Sequence, residues 1–107
     1  MKFRVHLVED AENDLFDIYQ YAAQNDSHEQ AESLLNSIEE TVIKLEAFPM
    51  RGHIPPELER ISVREFREVH YKPYRIIYEV RKPDVFVYCI LDGRRDLQEL
   101  LHKRLLR

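Results

Sequence analysis

Arginine side chains in the second half of the chain are the groups best suited to bind another molecule. Arg75 opens an apolar run, Arg94 and Arg95 directly follow the end of another, and Arg64 and Arg67 lie on the segment before them. A guanidinium group stays charged and binds a phosphate or a carboxylate through two parallel hydrogen bonds. The cluster therefore predicts either an anion-binding surface or an internal network of ion pairs. The acidic candidates for such a network are Glu65, Glu68, Glu79, Asp92 and Asp96.

Other side chains that commonly do chemistry are poorly arranged for it. The five histidines, at positions 6, 28, 53, 70 and 102, include no pair three or four residues apart, so a metal site is not expected. Gly52 and Gly93 are the only glycines, which argues against a glycine-rich phosphate loop. The lone cysteine, Cys89, lies inside an apolar run and is interpreted as a core residue. The sequence therefore predicts no cofactor and no metal.

Composition and charge indicate one folded domain over residues 1–107. The chain is 44% apolar and 34% charged, with a net charge of −4. Residues 1–50 hold eleven acidic and three basic side chains, a net charge of −8, whereas residues 51–107 hold nine acidic and thirteen basic ones, a net charge of +4. Binding to nucleic acid requires a clustered basic surface. Any such contact must therefore come from the C-terminal half.

Apolar runs in this sequence are short. The longest, Val85 to Leu91, cannot span a bilayer, and the N-terminal residues alternate in polarity instead of forming the apolar segment of a signal peptide. We therefore expect a cytoplasmic protein that does not act at a membrane.

The N-terminal half predicts a strand followed by two helices. Residues from Lys2 to Val8 alternate apolar and polar side chains, as a half-buried strand does. Apolar residues then recur at helical spacing from Asp10 to the polar break at residues 24–26. A second helical stripe starts at the capping pair Ser27 and Gln30 and runs to Phe48, before Pro49. The short connection predicts an antiparallel helical hairpin.

The C-terminal half predicts a loop, three strands and a short helix. Met50 to Ser62 has no sustained period, and the strands are expected at Val63–Tyr71, Arg75–Arg81 and Val85–Leu91. The last two strands are apolar on both faces, so something must cover the second face. A helix that starts after a cap at Asp96 is one candidate, and a partner protein is the other.

Four short stretches occur in a distinctive order: FPMRG (48–52), REF (64–66), YRIIYEV (74–80) and LDGRRD (91–96). Their succession, which extends over essentially the whole chain, resembles the RelE/ParE superfamily of toxins from type II toxin–antitoxin modules. The resemblance implies an α+β fold with the order β-α-α-β-β-β-α. In that fold an antiparallel sheet is packed by an N-terminal helical hairpin and a short C-terminal helix.

This superfamily divides by target, so the resemblance implies one of two activities. RelE-like members cleave mRNA on the ribosome, whereas ParE-like members bind DNA gyrase and stabilise its cleaved complex with DNA. The ribonucleases carry two lysines on the strand before the YRxxY element, and a tyrosine or histidine near the C-terminus. Phe66, Glu68 and Leu101 stand at those positions here. A carboxylate repels phosphate and a leucine cannot transfer a proton, which favours the ParE side.

Two arginines of the ribonuclease group are nevertheless retained, at Arg75 and Arg95. If the protein is a ribonuclease, these arginines and His102 are its expected catalytic residues, and His53 or His70 are further candidates for the base. Arg75 can equally anchor the sheet through an ion pair with Glu65 or Asp92, so the retained arginines alone do not decide between the two activities.

From this resemblance we expect a ParE-like inhibitor of DNA gyrase that also binds a cognate antitoxin. The alternatives are a ribosome-dependent mRNA endonuclease, with the ribosome and mRNA as partners, and a folded relative without toxic activity. Partner contacts are expected at Arg64, Arg67, Arg75, Arg94, Arg95, Leu97, Leu101 and Arg104.

Overall fold

A four-stranded sheet with helices on both faces forms the protein. The structure, a computed structural model, describes residues 2–106. Its elements are β1 (Arg4–Leu7), α1 (Glu9–Asn25), α2 (His28–Ile43), α3 (Pro56–Glu59), β2 (Phe66–Tyr71), β3 (Tyr74–Arg81), β4 (Asp84–Asp92) and α4 (Gln98–Leu105). The predicted α+β class and the order of the main elements are confirmed. The short helix α3 is an addition, because the sequence predicts only a loop there.

The sheet has the strand order β1-β4-β3-β2. Strands β2, β3 and β4 form the expected antiparallel meander. β1 differs, since it pairs in parallel with β4, with Arg4 opposite Asp84, so the sheet is mixed and not antiparallel throughout. The long connection through both helices brings the chain back to the end of the sheet where β1 began. β2 therefore runs in the same direction as β1, and so does β4, because β3 is antiparallel to both β2 and β4. A short hairpin after β1 would instead have reversed the direction of the chain.

One face of the sheet is covered by the helical hairpin. The predicted cap is present, since the backbone N–H of Gln30 donates to Ser27 Oγ at 3.1 Å. α2 gives way after Ile43 to a 3₁₀ turn over Lys44–Glu46, so the regular helix ends before the predicted Phe48. The core on this face includes Ala11, Ile38, Val42, Leu45, Val69, Ile76, Tyr78, Val85, Val87 and Ile90.

The opposite face is covered by α3 and α4, which confirms that the C-terminal helix serves as a cover. Its buried cluster consists of Leu58, Phe66, Ile77, Cys89, Leu91, Leu97 and Leu101. Asp96 helps to start α4, because its carboxylate accepts a hydrogen bond from the N–H of Gln98 at 3.1 Å. Cys89 is buried as predicted, and burial raises the pKa of its thiol to about 12. Within residues 2–106, no helix is both long enough and apolar enough to cross a membrane.

Candidate functional site

Arg94 and Arg95, which we call the arginine rim, follow the end of β4. The guanidinium group of Arg94 donates two hydrogen bonds to Asp92, of 3.0 Å to Oδ1 and 2.7 Å to Oδ2. The arginine side chain nevertheless remains 74% exposed. These hydrogen bonds, with one from the Arg94 backbone N–H, lower the pKa of Asp92 to about 2. The aspartate therefore balances part of the charge while the arginine stays accessible.

Arg95 is exposed beside Arg94, and its guanidinium group donates no hydrogen bond to another group among residues 2–106. Both arginines line an open groove of about 350 Å³ between α1 and the end of the sheet. We call it the rim groove; besides the two arginines it is lined by Asp14, Asp17, Ile18, Tyr21, Tyr74, Ile90, Leu91 and Asp92. The lining also holds three carboxylates, but Asp14 is paired with Arg104 and Asp92 with Arg94. Arg95 and the exposed ring of Tyr21 are the groups at this groove that suit acidic and apolar side chains of a partner.

Gly93 lies between the arginine rim and the side chain of Arg75, where there is no room for a larger residue. A Cβ atom there would lie 2.8 Å from both Cγ and Cδ of Arg75 and 2.9 Å from the carbonyl oxygen of Pro73. The aliphatic stem of Arg75 therefore passes directly over the glycine. Its guanidinium group continues away from the rim into a network of acidic residues.

Arg75 is held by two carboxylates and is only 12% exposed. Its Nε and Nη2 atoms donate to Glu68 at 2.6 and 3.0 Å, and its Nη1 and Nη2 atoms donate to Glu57 at 2.6 and 2.7 Å. These bonds raise the pKa of Arg75 and lower the pKa of Glu57. The internal network expected as one alternative thus accounts for Arg75, with Glu57 and Glu68 as partners in place of Glu65 or Asp92.

Glu68 also has two histidine neighbours. Its side chain is 1% exposed, and its Oε2 and Oε1 atoms lie 3.1 Å from His53 Nε2 and 3.2 Å from His70 Nε2. The two imidazole rings, 59% and 40% exposed, stand side by side with centroids 5.2 Å apart. We call His53, Glu68 and His70 the Glu68 cluster. In this cluster the carboxylate is buried and the two imidazoles face the solvent.

The loop that carries His53 is fastened to the sheet. His53 and Glu68 exchange two backbone hydrogen bonds, of 3.2 and 2.7 Å. The buried hydroxyl of Tyr78 accepts from the N–H of Gly52 at 3.0 Å and donates to the carbonyl of Pro49 at 2.7 Å. Position 52 must be glycine, because a Cβ atom there would lie 2.5 Å from the carbonyl oxygen of Glu68. His53 is therefore held in place by its backbone.

The other predicted arginines divide between internal and exposed positions. Arg67 donates from Nη1 to the carbonyl of Gly52 at 2.7 Å and so helps to fix the same loop. Arg104 forms a fork with Asp14, of 3.2 and 2.8 Å, and donates to the carbonyl of Tyr88 at 2.9 Å. Arg64 is exposed on the segment before β2. Of these three, only Arg64 offers a largely exposed guanidinium group to a partner.

The remaining predicted residues lie on or beside α4. Leu97 and Leu101 are fully buried in the second core and so do not belong to the surface in this structure. His102 is exposed on α4, and no hydrogen bond or ion pair of its ring joins it to Arg75 or Arg95 within residues 2–106. The catalytic set Arg75, Arg95 and His102, expected for a ribonuclease, therefore stays a prediction.

Sequence reasoning missed the Glu68 cluster, although part of its signal is visible. Histidines three or four residues apart would share a helix face, whereas side chains two residues apart share a face of a strand. Glu68 and His70 have this spacing on β2, and Arg75 lies directly opposite His70 on β3. Only His53, which belongs to the preceding loop, required the three-dimensional structure.

Residues 5–97 match the family model of the ParE toxin of the type II toxin–antitoxin system, parDE. The chain belongs to this family. It is 33% identical over 91 residues to Toxin ParE3 of Caulobacter vibrioides, a match that covers 85% of this chain and 87% of that protein. The protein is therefore a ParE-like toxin of a type II toxin–antitoxin system, within the RelE/ParE superfamily, as the sequence resemblance implied.

Solved structures support the ParE fold independently. The chromosomal ParDE system from P. aeruginosa has a chain that matches with a TM-score of 0.72 at 19% identity, covering 85% of this chain and 96% of that one. The RelBE2 toxin–antitoxin complex from Mycobacterium tuberculosis matches with a TM-score of 0.64 at 16% identity, covering 86% and 92%. At these identities the likeness shows the shared fold alone.

Proposed function

We propose that the protein inhibits DNA gyrase by binding it and stabilising its cleaved complex with DNA. The observation that carries the proposal is the state of Arg75, the most buried of the candidate catalytic residues. Its guanidinium group makes four hydrogen bonds to Glu57 and Glu68. A ribonuclease needs such a cation free to neutralise charge that develops on phosphate. Here the carboxylates of Glu57 and Glu68 already bind the guanidinium group of Arg75.

Three further positions support the same proposal. Phe66, Glu68 and Leu101, which stand where the ribonuclease group has its lysines and its proton-transfer residue, are all buried. A buried carboxylate and two apolar side chains can neither attract RNA phosphate nor exchange a proton with a ribose hydroxyl. A gyrase poison has no such requirement, because it acts by holding a conformation of its target. Such an activity requires only a complementary surface and a cytoplasmic location.

For the gyrase contact we propose the arginine rim and the rim groove. Arg94 and Arg95 are exposed at the end of β4, and the aromatic side chain of Tyr21 is exposed beside them. Exposed arginine and tyrosine side chains commonly dominate the binding energy of protein interfaces. Arg64 is also exposed, but it precedes β2 at the end of the sheet away from the arginine rim, so any partner contact that it makes would be a separate one.

A cognate antitoxin is the second proposed partner. Besides the rim groove, the helical hairpin has an apolar groove of about 590 Å³, lined by Leu7, Glu12, Leu15, Phe16, Tyr19, Leu35 and Glu39. Phe16 is largely exposed there. An amphipathic segment that folds on the toxin could bury this side chain and place acidic residues near the rim. Co-expression with the neighbouring reading frame tests this partner, and failure to recover any complex would contradict it.

Purified protein tests the gyrase proposal directly. With gyrase, plasmid DNA and ATP, we expect accumulation of cleaved plasmid after denaturation of the enzyme. The double variant Arg94→Ala/Arg95→Ala should lose this effect with little change in thermal stability, because both side chains are exposed. A matched control is Arg81→Ala/Lys82→Ala, which removes two exposed cations at the turn between β3 and β4. Normal gyrase poisoning by the rim variant would refute the proposed surface.

A ribosome-dependent mRNA endonuclease is the second candidate, and the Glu68 cluster is the observation that favours it. His53 and His70 are two exposed imidazoles that could serve as base and acid. A translation reaction run beside the gyrase assay separates the candidates. Cleavage of mRNA at codon positions, lost in His53→Ala/His70→Ala, would replace the gyrase proposal. A folded protein inactive in both assays would indicate a relative without toxic activity.

A further inference from the structure

We propose that the Glu68 cluster binds a divalent transition-metal ion, of which Zn²⁺ is the best representative, through His53, Glu68 and His70. The donor atoms of these three side chains all lie within 4.8 Å of one another. Two imidazoles and one carboxylate form a donor set that suits zinc, with a fourth position left for water. The site would lie at β2, the strand at one edge of the sheet, where the loop with His53 pairs with it. This proposal does not depend on the gyrase proposal.

Distances within the cluster fit such an ion. Donors bound at about 2.1 Å to a tetrahedral zinc ion lie roughly 3.4 Å apart. The Nε2 atoms of His53 and His70 lie 3.1 and 3.2 Å from the two oxygens of Glu68, so both pairs already have nearly the required separation. Exposed imidazole rings can rotate slightly to converge on one ion, while the buried carboxylate stays fixed.

Charge in the cluster also favours a cation. Arg75 would repel a metal ion if its charge were free, but Glu57 binds it through two hydrogen bonds of 2.6 and 2.7 Å. The three groups Glu57, Arg75 and Glu68 together carry a formal charge of −1 with Glu57 and Glu68 ionised. This excess lies on nearly buried side chains, where a neighbouring positive charge is stabilising. A cation can approach and balance this negative charge from the open side of the cluster, between the two imidazoles.

The cluster is also preorganised. Glu68 is held by Arg75 at 2.6 and 3.0 Å, which is the kind of outer hydrogen bonding that orients a metal-binding carboxylate. His53 is held by its two backbone hydrogen bonds to Glu68, and His70 lies on the same strand as Glu68. Metal binding would therefore require little ordering of the backbone. It would add a bridge between the loop at residues 49–53 and β2.

Zinc titration of the metal-free chain by calorimetry, with Co²⁺ absorption as a second readout, tests the site. We expect one ion per chain, and visible bands of a four-coordinate Co²⁺ complex. His53→Ala and His70→Ala should each weaken binding at least about tenfold, since even outer-shell substitutions commonly cost 10- to 100-fold. The control His28→Ala/His102→Ala also removes two exposed histidines and should bind within about twofold of the wild type.

Thermal unfolding supplies an independent test. Zinc should raise the melting temperature of the wild type and of the control, because an ion that binds the folded state stabilises it. It should not raise that of His53→Ala/His70→Ala. Equal zinc affinity in the wild type and this double variant would overturn the proposal, as would an absence of saturable binding to the wild type. Neither result bears on gyrase.

Discussion

Replacement of Arg75 by alanine should destabilise the protein severely, because it leaves Glu68 as a buried charge without its main partner. The substitution removes four hydrogen bonds, and the Glu68 carboxylate is 1% exposed. Removal of one member of a buried ion pair commonly costs about 3–5 kcal/mol. For a domain of roughly 100 residues, each kcal/mol lowers the melting temperature by about 4–8 °C. We therefore expect Arg75→Ala to melt at least about 12 °C below the wild type.

Arg94→Ala is the matched comparison, because it removes an arginine from an exposed ion pair instead of a buried one. Arg94 is 74% exposed, and its partner Asp92 remains partly open to water. Exposed ion pairs contribute about 0–1 kcal/mol. Urea unfolding followed by circular dichroism should show a small loss for Arg94→Ala and a large one for Arg75→Ala. If both variants lose the same small amount of unfolding free energy, Arg75 does not stabilise the fold as proposed.

A second substitution separates an orphaned charge from lost packing. In the Arg75→Ala background, Glu68→Gln removes the more deeply buried of the two carboxylates that lose Arg75 and keeps a side chain of similar size. If the charge causes the destabilisation, the double variant should regain part of the lost free energy of unfolding. If lost contacts of the arginine stem over Gly93 cause it, the second substitution should bring no recovery.

Two further predictions concern protonation. The hydrogen bonds from Arg75 lower the pKa of Glu57 from its ordinary value of 4.5, so the stabilisation from the ionised form is complete above pH 4.5 and is lost as the pH falls through the folded-state value. Urea unfolding between pH 3 and pH 7 should therefore show Glu57→Gln less stable than the wild type near neutrality, with the difference shrinking in acid; a constant difference would contradict this. Burial raises the pKa of Cys89 to about 12, so an alkylating reagent should label the folded protein only as fast as it unfolds, and rapid labelling of native protein would contradict the core assignment.

The main elements were predictable because local periodicity and global packing agree. The stripe after Ser27 forms α2, and the doubly apolar strands β3 and β4 are covered on both faces. Other details depended on long-range contacts. The parallel pairing of β1 with β4 joins residues about 80 positions apart, and no local pattern specifies its direction. α3 has only four residues, too few for a periodic signal.

Residue type did not determine which arginines are structural. Arg75, Arg67 and Arg104 are held by internal acceptors, whereas Arg94 and Arg95 extend into solvent. The sequence indicates the cluster but not this division, because both classes have acidic neighbours along the chain. What separates them is burial: Arg75 has α3 beside it, and α3 lies within the segment that the sequence predicts as a loop.

The Glu68 cluster shows why a candidate site can be only partly visible in sequence. Glu68 and His70 could have been paired from the two-residue period of β2. His53 reaches them only because Gly52 has no side chain, which lets the loop approach the backbone of Glu68 and exchange two hydrogen bonds with it. A Cβ atom at position 52 would clash with the backbone carbonyl of Glu68, so a substitution there should push the loop and His53 away while leaving the three proposed zinc-binding side chains in the sequence. Gly52→Ala is predicted to lose zinc affinity while His53, Glu68 and His70 are all still present, and unchanged affinity would mean that the loop does not position the histidine.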